Sequence, residues 1–325
     1  MNLSQLHKQF GTQEKCINYL EKLRWGKIPI CVHCGSDNVS KHKKGIRLHC
    51  NTCNRKFSVL QGTIFEDSRL PLPKWFEVMS LMMNAKMGIS ASEISRNVGI
   101  KYNTAWYVCH RVRCAMIDNE IRLEGVIEFD EAYIGGKTKK KVPDNKANLA
   151  VVENKRGRGT NKTPIVGAVE KKGQVYVKII EKLTGRNLLA MLKKIVKTQD
   201  SIVITDAFKS YRSFDNTVEH ITIKHSEGYG KGIKTVNTIE GFFSILKNGI
   251  KGSYRALSKK YLPFYLAEFS YKYNKRNLQK NAFEQLLANA VKDEKCFINY
   301  KPKCNVKDIV YKSKTCKVNK VIKMS

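Results

Sequence analysis

GVIEFDEAYIGGK, residues 125–137, is the stretch on which the fold turns. Val126, Ile127 and Phe129 are the β-branched and aromatic residues that a buried strand favours, and the Gly135-Gly136 pair ends the run in a turn. Asp130 and Glu131 sit inside that run, where a charge is costly unless something compensates it. A bound metal would compensate it. A strand with one buried and one wet face would also explain the pattern, with Glu128 and Asp130 on the wet side. The two readings separate on whether carboxylates from elsewhere in the chain converge on Asp130.

Downstream, a polar and strongly basic run from Thr138 to Thr163 reads as a mobile loop. PIVGAVE and QVYVKII, joined through Lys171-Lys172-Gly173, form an antiparallel hairpin. Residues 183–196 carry apolar side chains at helical spacing. SIVITDAFKSY is a second buried strand ending in a carboxylate, Asp206, and VEHITIKH is a further short strand. NTIEGFFSILKNGIKG is an amphipathic helix with Ile239, Phe242, Phe243, Leu246 and Ile250 on its apolar face; Glu240 and Lys247 lie seven positions, or about two turns, apart.

Strand, hairpin, helix, strand, strand, helix is the order of a ribonuclease-H-like α/β domain. In such a sheet the first strand and the strand after the helix run side by side, so Asp130 and Asp206 come within reach of one cation. Glu240, on a helix packed across that edge, closes the site. Three such carboxylates suit two divalent ions ~3.5 to 4 Å apart, magnesium or manganese, one activating the attacking hydroxyl or water and the other neutralising the leaving 3′ oxygen. Neighbouring side chains on a strand point to opposite faces, so Glu131 is expected to face away.

Upstream, Cys31-Val32-His33-Cys34 and Cys50-Asn51-Thr52-Cys53 are two CxxC pairs, the second beginning sixteen positions after the first ends. That spacing matches a structural zinc site in which all four positions are protein ligands, leaving none open for water. The remaining cysteines read as core thiols. Residues before Leu23 suggest one short amphipathic helix. Trp75, Val78, Met79, Met82 and Met83 recur at helical spacing as core. After them SASEISRNVGIKYNTAWYVCHRVR gives a helix begun by Ser90, a turn at Gly99 and a second helix carrying Thr104, Tyr107, His110 and Arg111, the pattern of a helix-turn-helix.

Sixty Lys and Arg against 28 Asp and Glu give the 325-residue chain a formal charge of +32, which calls for a polyanionic partner. No apolar run approaches a membrane span and the N-terminus lacks a signal-peptide core, so the cytoplasm is the expected compartment. The expected organisation is an N-terminal helix and zinc ribbon over 1–70, a helix-turn-helix-like DNA-binding region over 71–120, the catalytic domain over 121–280 and a basic tail over 281–325.

DEAYIGGK around Asp130, ITDAFKSY around Asp206 and VNTIEGFFSILKNGIKGSYRALSKKYLPFYLAEFSYKYNKRN at 236–277 together resemble the DDE transposases of bacterial insertion sequences that carry an N-terminal zinc ribbon, the ISXO-type group. The resemblance covers nearly the whole chain. It implies metal-dependent cleavage at transposon ends and strand transfer into target DNA, by a homodimer or higher oligomer holding two terminal inverted repeats. Asp130 and Asp206 carry over as catalytic aspartates and Lys247 as the basic residue. The group uses Glu, Asn or His as its third ligand; spacing and charge favour Glu240, with Asn237 as the alternative. A rival reading is a DNA-binding regulator whose catalytic domain is inactive.

Overall fold

The computed structural model describes residues 2–41, 46–118, 120–135, 162–223, 235–278 and 281–292. The basic loop expected from Thr138, the Gly136-Lys137 end of the opening stretch and the chain past 292, with Cys296, Cys304 and Cys316, lie outside them. The chain divides into two compact units; among the described residues one comprises 2–117 and 275–292, and the other 118–274.

In the first unit the expected single N-terminal helix is two, α1 (Leu3–Phe10) and α2 (Gln13–Trp25). The break is local chemistry: Thr12 takes extended backbone angles and its hydroxyl accepts the Lys15 N–H, which restarts a helix. A three-stranded antiparallel ribbon follows, β1 (Val39–Lys41), β2 (Arg47–Cys50) and β3 (Arg55–Ser58). Its buried core is four residues, Cys31, Leu48, Cys50 and Phe57, too few to hold it without a metal. Helices α3 (Leu72–Asn84), α4 (Ala91–Val98) and α5 (Tyr102–Ala115) come next. Ser90 caps α4 and Gly99, left-handed at φ 67°, ends it, as the sequence led one to expect.

Residues 281–290, within the stretch read as a basic tail, form a helix, α9 (Asn281–Ala290). Its Phe283 joins Phe10 and Phe76 in an aromatic cluster with ring centroids 5.0 to 6.4 Å apart. Each such ring contributes about 1.5–3 kcal/mol by burial.

The second unit is a five-stranded sheet in the order β6-β5-β4-β7-β8. Its strands are β4 (Leu123–Ile134), the hairpin β5 (Thr163–Glu170) and β6 (Val175–Ile179), β7 (Val196–Asp206) and β8 (Glu219–Ile223). Strands β4, β7 and β8 are parallel, and β5 is antiparallel to both of its neighbours. This is the ribonuclease-H-like arrangement expected. On β4 the odd residues Ile127 and Phe129 pack under α6 (Gly185–Ile195) and a 3-10 turn over Lys209–Phe214. The even residues Ala132 and Ile134 face α7 (Asn237–Gly249) and α8 (Leu262–Asn274). At the sheet edge the Asn274 side chain accepts the Val175 N–H at 2.7 Å and donates to the Val175 carbonyl at 3.0 Å, tying α8 to β6.

Gly167, the β5 partner of Asp130, lets α7 lie close. A Cβ there would meet Ile239 Cδ1 at 2.7 Å and Phe243 Cζ at 2.9 Å, both tips of buried side chains. Gly167→Ala is therefore expected to destabilise the second unit by about 1–3 kcal/mol, as overpacking does. A lowered urea midpoint with an unchanged slope would report it.

Among the described residues no helix is long and apolar enough to cross a membrane.

Candidate active site

Parallel pairing of β4 with β7 sets Glu128 against Ile204. Two residues further along each strand stand Asp130 and Asp206. The carboxylates of Asp130, Asp206 and Glu131 offer ligand atoms that all lie within 4.8 Å of one another. Asp130 Oδ1 accepts the Glu131 N–H at 2.7 Å, and Asp206 Oδ1 accepts the Phe208 N–H at 3.1 Å, so backbone donors orient both aspartates. Behind Asp206, the Thr205 hydroxyl meets His220 Nε2 at 2.8 Å.

Glu131 departs from the expectation that it faces away. Its side of the strand is indeed the opposite one, where buried Tyr211 donates its hydroxyl to Glu131 Oε2 at 3.0 Å. Yet β7 ends at Asp206, so on that side of β4 the strand pairing does not continue past Asp130. The longer glutamate side chain brings its carboxylate to the rim beside Asp130.

Glu240 is exposed in the first turn of α7 and lies outside the 4.8 Å group, although its charge reaches Asp130. Lys247 is exposed near the other end of the same helix. Asn237 is the first residue of α7 rather than its cap; the cap is Val236, whose side chain makes no capping bond.

That bond comes from a residue which the sequence put on a wet face. Glu128 is fully buried. Its Oε1 accepts the Thr238 hydroxyl and its Oε2 the Ile239 N–H, each at 2.9 Å, and Lys171 Nζ stands 3.8 Å away. No local signal could have found this, because the partners lie 110 and 111 residues further on.

The carboxylate group suits a hard cation. Oxygens on opposite sides of one magnesium, each at ~2.1 Å, stand about 4.2 Å apart. Burial pushes the Asp130 carboxyl up to about 7, helped by the charges of Glu131, Asp206 and Glu240 and opposed by the Glu131 N–H. A cation must displace that proton. Manganese affinity is accordingly expected to rise about tenfold per pH unit up to about pH 7 and to level off above it. Calorimetric titrations at pH 6, 7 and 8 would show this, with proton release on binding shrinking at pH 8. The same shift implies that the metal-free protein loses stability between pH 3.8 and about 7, where the folded state binds the extra proton.

In the ribbon, Cys31 and Cys53 Sγ are 3.7 Å apart, Cys34 and Cys50 Sγ 3.5 Å, and all four lie within 4.8 Å of one another. Thiolates around a tetrahedral zinc at ~2.3 Å stand about 3.8 Å apart. The four cysteines fit that ion and leave no open position.

On α5, His110 is buried, and Arg111 donates to the carbonyls of Glu66 at 2.7 Å and Thr63 at 3.2 Å and to the Tyr107 hydroxyl. The sequence pattern assigns both residues to the second helix of a helix-turn-helix; here Arg111 ties that helix to the loop at 63–66, and His110 packs against Trp106. Lys101, Tyr102 and Asn103, before and at the start of α5, are the exposed ones.

Residues 122–274 match the family described as ISXO2-like transposase domain, and residues 11–56 the transposase zinc-ribbon domain. A Halobacterium salinarum protein described as an uncharacterized protein in transposable element ISH50 is 27% identical over 274 residues, covering 81% of this chain and 91% of that protein. Two solved structures also align. The Mos1 strand transfer complex does so at 11% identity and TM-score 0.26, over 66% of this chain and 78% of that one. A pre-cleavage Mos1 transpososome does so at 10% and 0.24, over 89% and 97%.

Proposed function

We propose, for a chain that belongs by both of its domains with the zinc-ribbon transposases of insertion sequences, that it cleaves the ends of its element and joins them to target DNA by metal-dependent phosphodiester displacement. The observation that carries this is the meeting of Asp130 and Asp206 at the ends of adjacent parallel strands inside the transposase domain. Asp130 and Asp206 would hold the divalent ions, magnesium or manganese, with Glu240 as third ligand and Asn237 as the alternative. Bound there, the two ions would activate the attacking oxygen and neutralise the leaving one. Glu131 adds a fourth carboxylate, fixed by Tyr211. Lys247, about two turns along α7 from Glu240, reaches a phosphate of the DNA end.

The charge of +32 supports a DNA partner, with the ribbon and the exposed start of α5 meeting the terminal inverted repeats. Holding two ends at once calls for a homodimer or larger assembly. The test is magnesium-dependent nicking of a labelled terminal-repeat duplex, with the Asp130→Ala/Asp206→Ala/Glu240→Ala variant as control. Nicking by the wild type and not by the variant is expected. Tight binding of the repeat without nicking by the wild type would favour the regulator reading instead.

A further inference from the structure

We infer that Glu128 is a positioning residue that holds the first turn of α7, and through it Glu240, against the Asp130–Asp206 pair. The inference rests on the proposed metal site and adds a part to it. A fully buried carboxylate is tolerated only where donors surround it, and those donors then become fixed points of the fold. Glu128 has two donors, the Thr238 hydroxyl and the Ile239 N–H, and the Lys171 ammonium stands 3.8 Å away as an ion-pair partner. The first N–H groups of a helix have no partner within it, and that end carries partial positive charge. Because Val236 supplies no capping bond, the carboxylate of Glu128 does the work of a cap from another element.

The same ammonium is itself fixed. Lys171 Nζ donates to Thr235 Oγ1 at 3.2 Å, just ahead of α7, and the Lys171 backbone N–H donates to the Val126 carbonyl at 2.9 Å on β4. One polar cluster centred on buried Glu128 thus joins β4, the β5–β6 turn and the start of α7. Position then follows from covalent geometry. Glu128 is two residues before Asp130 on the same face of β4, and Ile239 is bonded to Glu240. The two bonds that Glu128 makes to α7 therefore set how far Glu240 stands from Asp130. Gly167 leaves α7 the room to settle at that distance.

Glu128→Gln tests this in the full-length protein, since it keeps the shape and one acceptor while removing the charge that balances Lys171. Manganese affinity is measured without DNA, by electron paramagnetic resonance of the free ion. Groups that orient ligands from behind typically govern about 10–100-fold in metal affinity. A weakening of about tenfold or more is expected, with a cooperative melt and unchanged zinc content. In a Glu240→Gln background the same substitution should add little, because its effect runs through Glu240. Full manganese affinity in Glu128→Gln, or an undiminished effect in the Glu240→Gln background, overturns the inference. Thr238→Val carries the same two measurements should Glu128→Gln fail to fold. Asp130→Asn keeps the two failures apart: if it too retains manganese, the proposed metal site is what falls.

Discussion

Asp130→Asn and Asp206→Asn should each lower nicking of a terminal-repeat duplex by about a thousandfold while leaving duplex affinity intact. Losing a ligand forfeits several kcal/mol of charge stabilisation in the displacement, and about 4 kcal/mol corresponds to that factor. Affinity for the duplex rests instead on cations neutralising phosphates, and removing an acid takes none of these away. A second signature separates the site from a generic loss of fold. Burial has already pushed the Asp130 carboxyl up to about 7, so at pH 8 the metal-free wild type carries a charge that its surroundings resist. Asp130→Asn removes that charge. Its metal-free melting temperature at pH 8 should equal or exceed that of the wild type, and the rise which magnesium gives the wild type should vanish. A variant melting well below the metal-free wild type, or one that still nicks, would contradict the assignment.

Cys50→Ser should cost the ribbon its fold. Cys50 is fully buried in a core of four residues, two of which are themselves candidate zinc ligands, so the metal and the core are nearly the same object. Structural zinc contributes about 10–16 kcal/mol in small zinc modules, far more than the burial of Leu48 and Phe57 can replace. Elemental analysis should find one zinc per chain in the wild type and none in Cys50→Ser. Limited proteolysis should open the ribbon between β1 and β3 while the five-stranded sheet of the second unit stays protected. Repeat binding should fall with the ribbon. A zinc-free variant with an intact, protected ribbon would show that the metal is dispensable.

The order of elements in the second unit was legible because each strand is an apolar run bounded by turn residues, and right-handed α/β connectivity leaves few ways to assemble them. Asp130 and Asp206 were legible for the same reason: parallel register carries two strand-end acids to one edge. Glu128 was not. A glutamate in alternation with Ile127 and Phe129 reads as solvent-facing, and only the arrival of α7 makes that face an interior. Arg111 and His110 went the opposite way, since the carbonyls of residues 63 and 66 draw Arg111 inward and His110 is buried against Trp106. The helix at 281–290 lay hidden behind the lysine content of the chain around it, though Phe283, Leu286 and Leu287 fall at three- and four-residue steps. Glu131 followed the alternation rule in its face and escaped it in its reach.

The long separation between Glu128 and its partners also sets a timetable for synthesis. Chains grow at about 5–20 residues per second, so α7 is made roughly 5–20 s after Asp130. Until then the chain lacks Thr238 and Ile239, and the face of β4 that carries Glu128 has no helix α7 to cover it. A chain halted before residue 237 therefore carries Asp130, Glu131 and Asp206 but leaves the Glu128 carboxylate without either of its α7 donors, so the acid two residues before Asp130 has nothing from α7 to hold it in the interior.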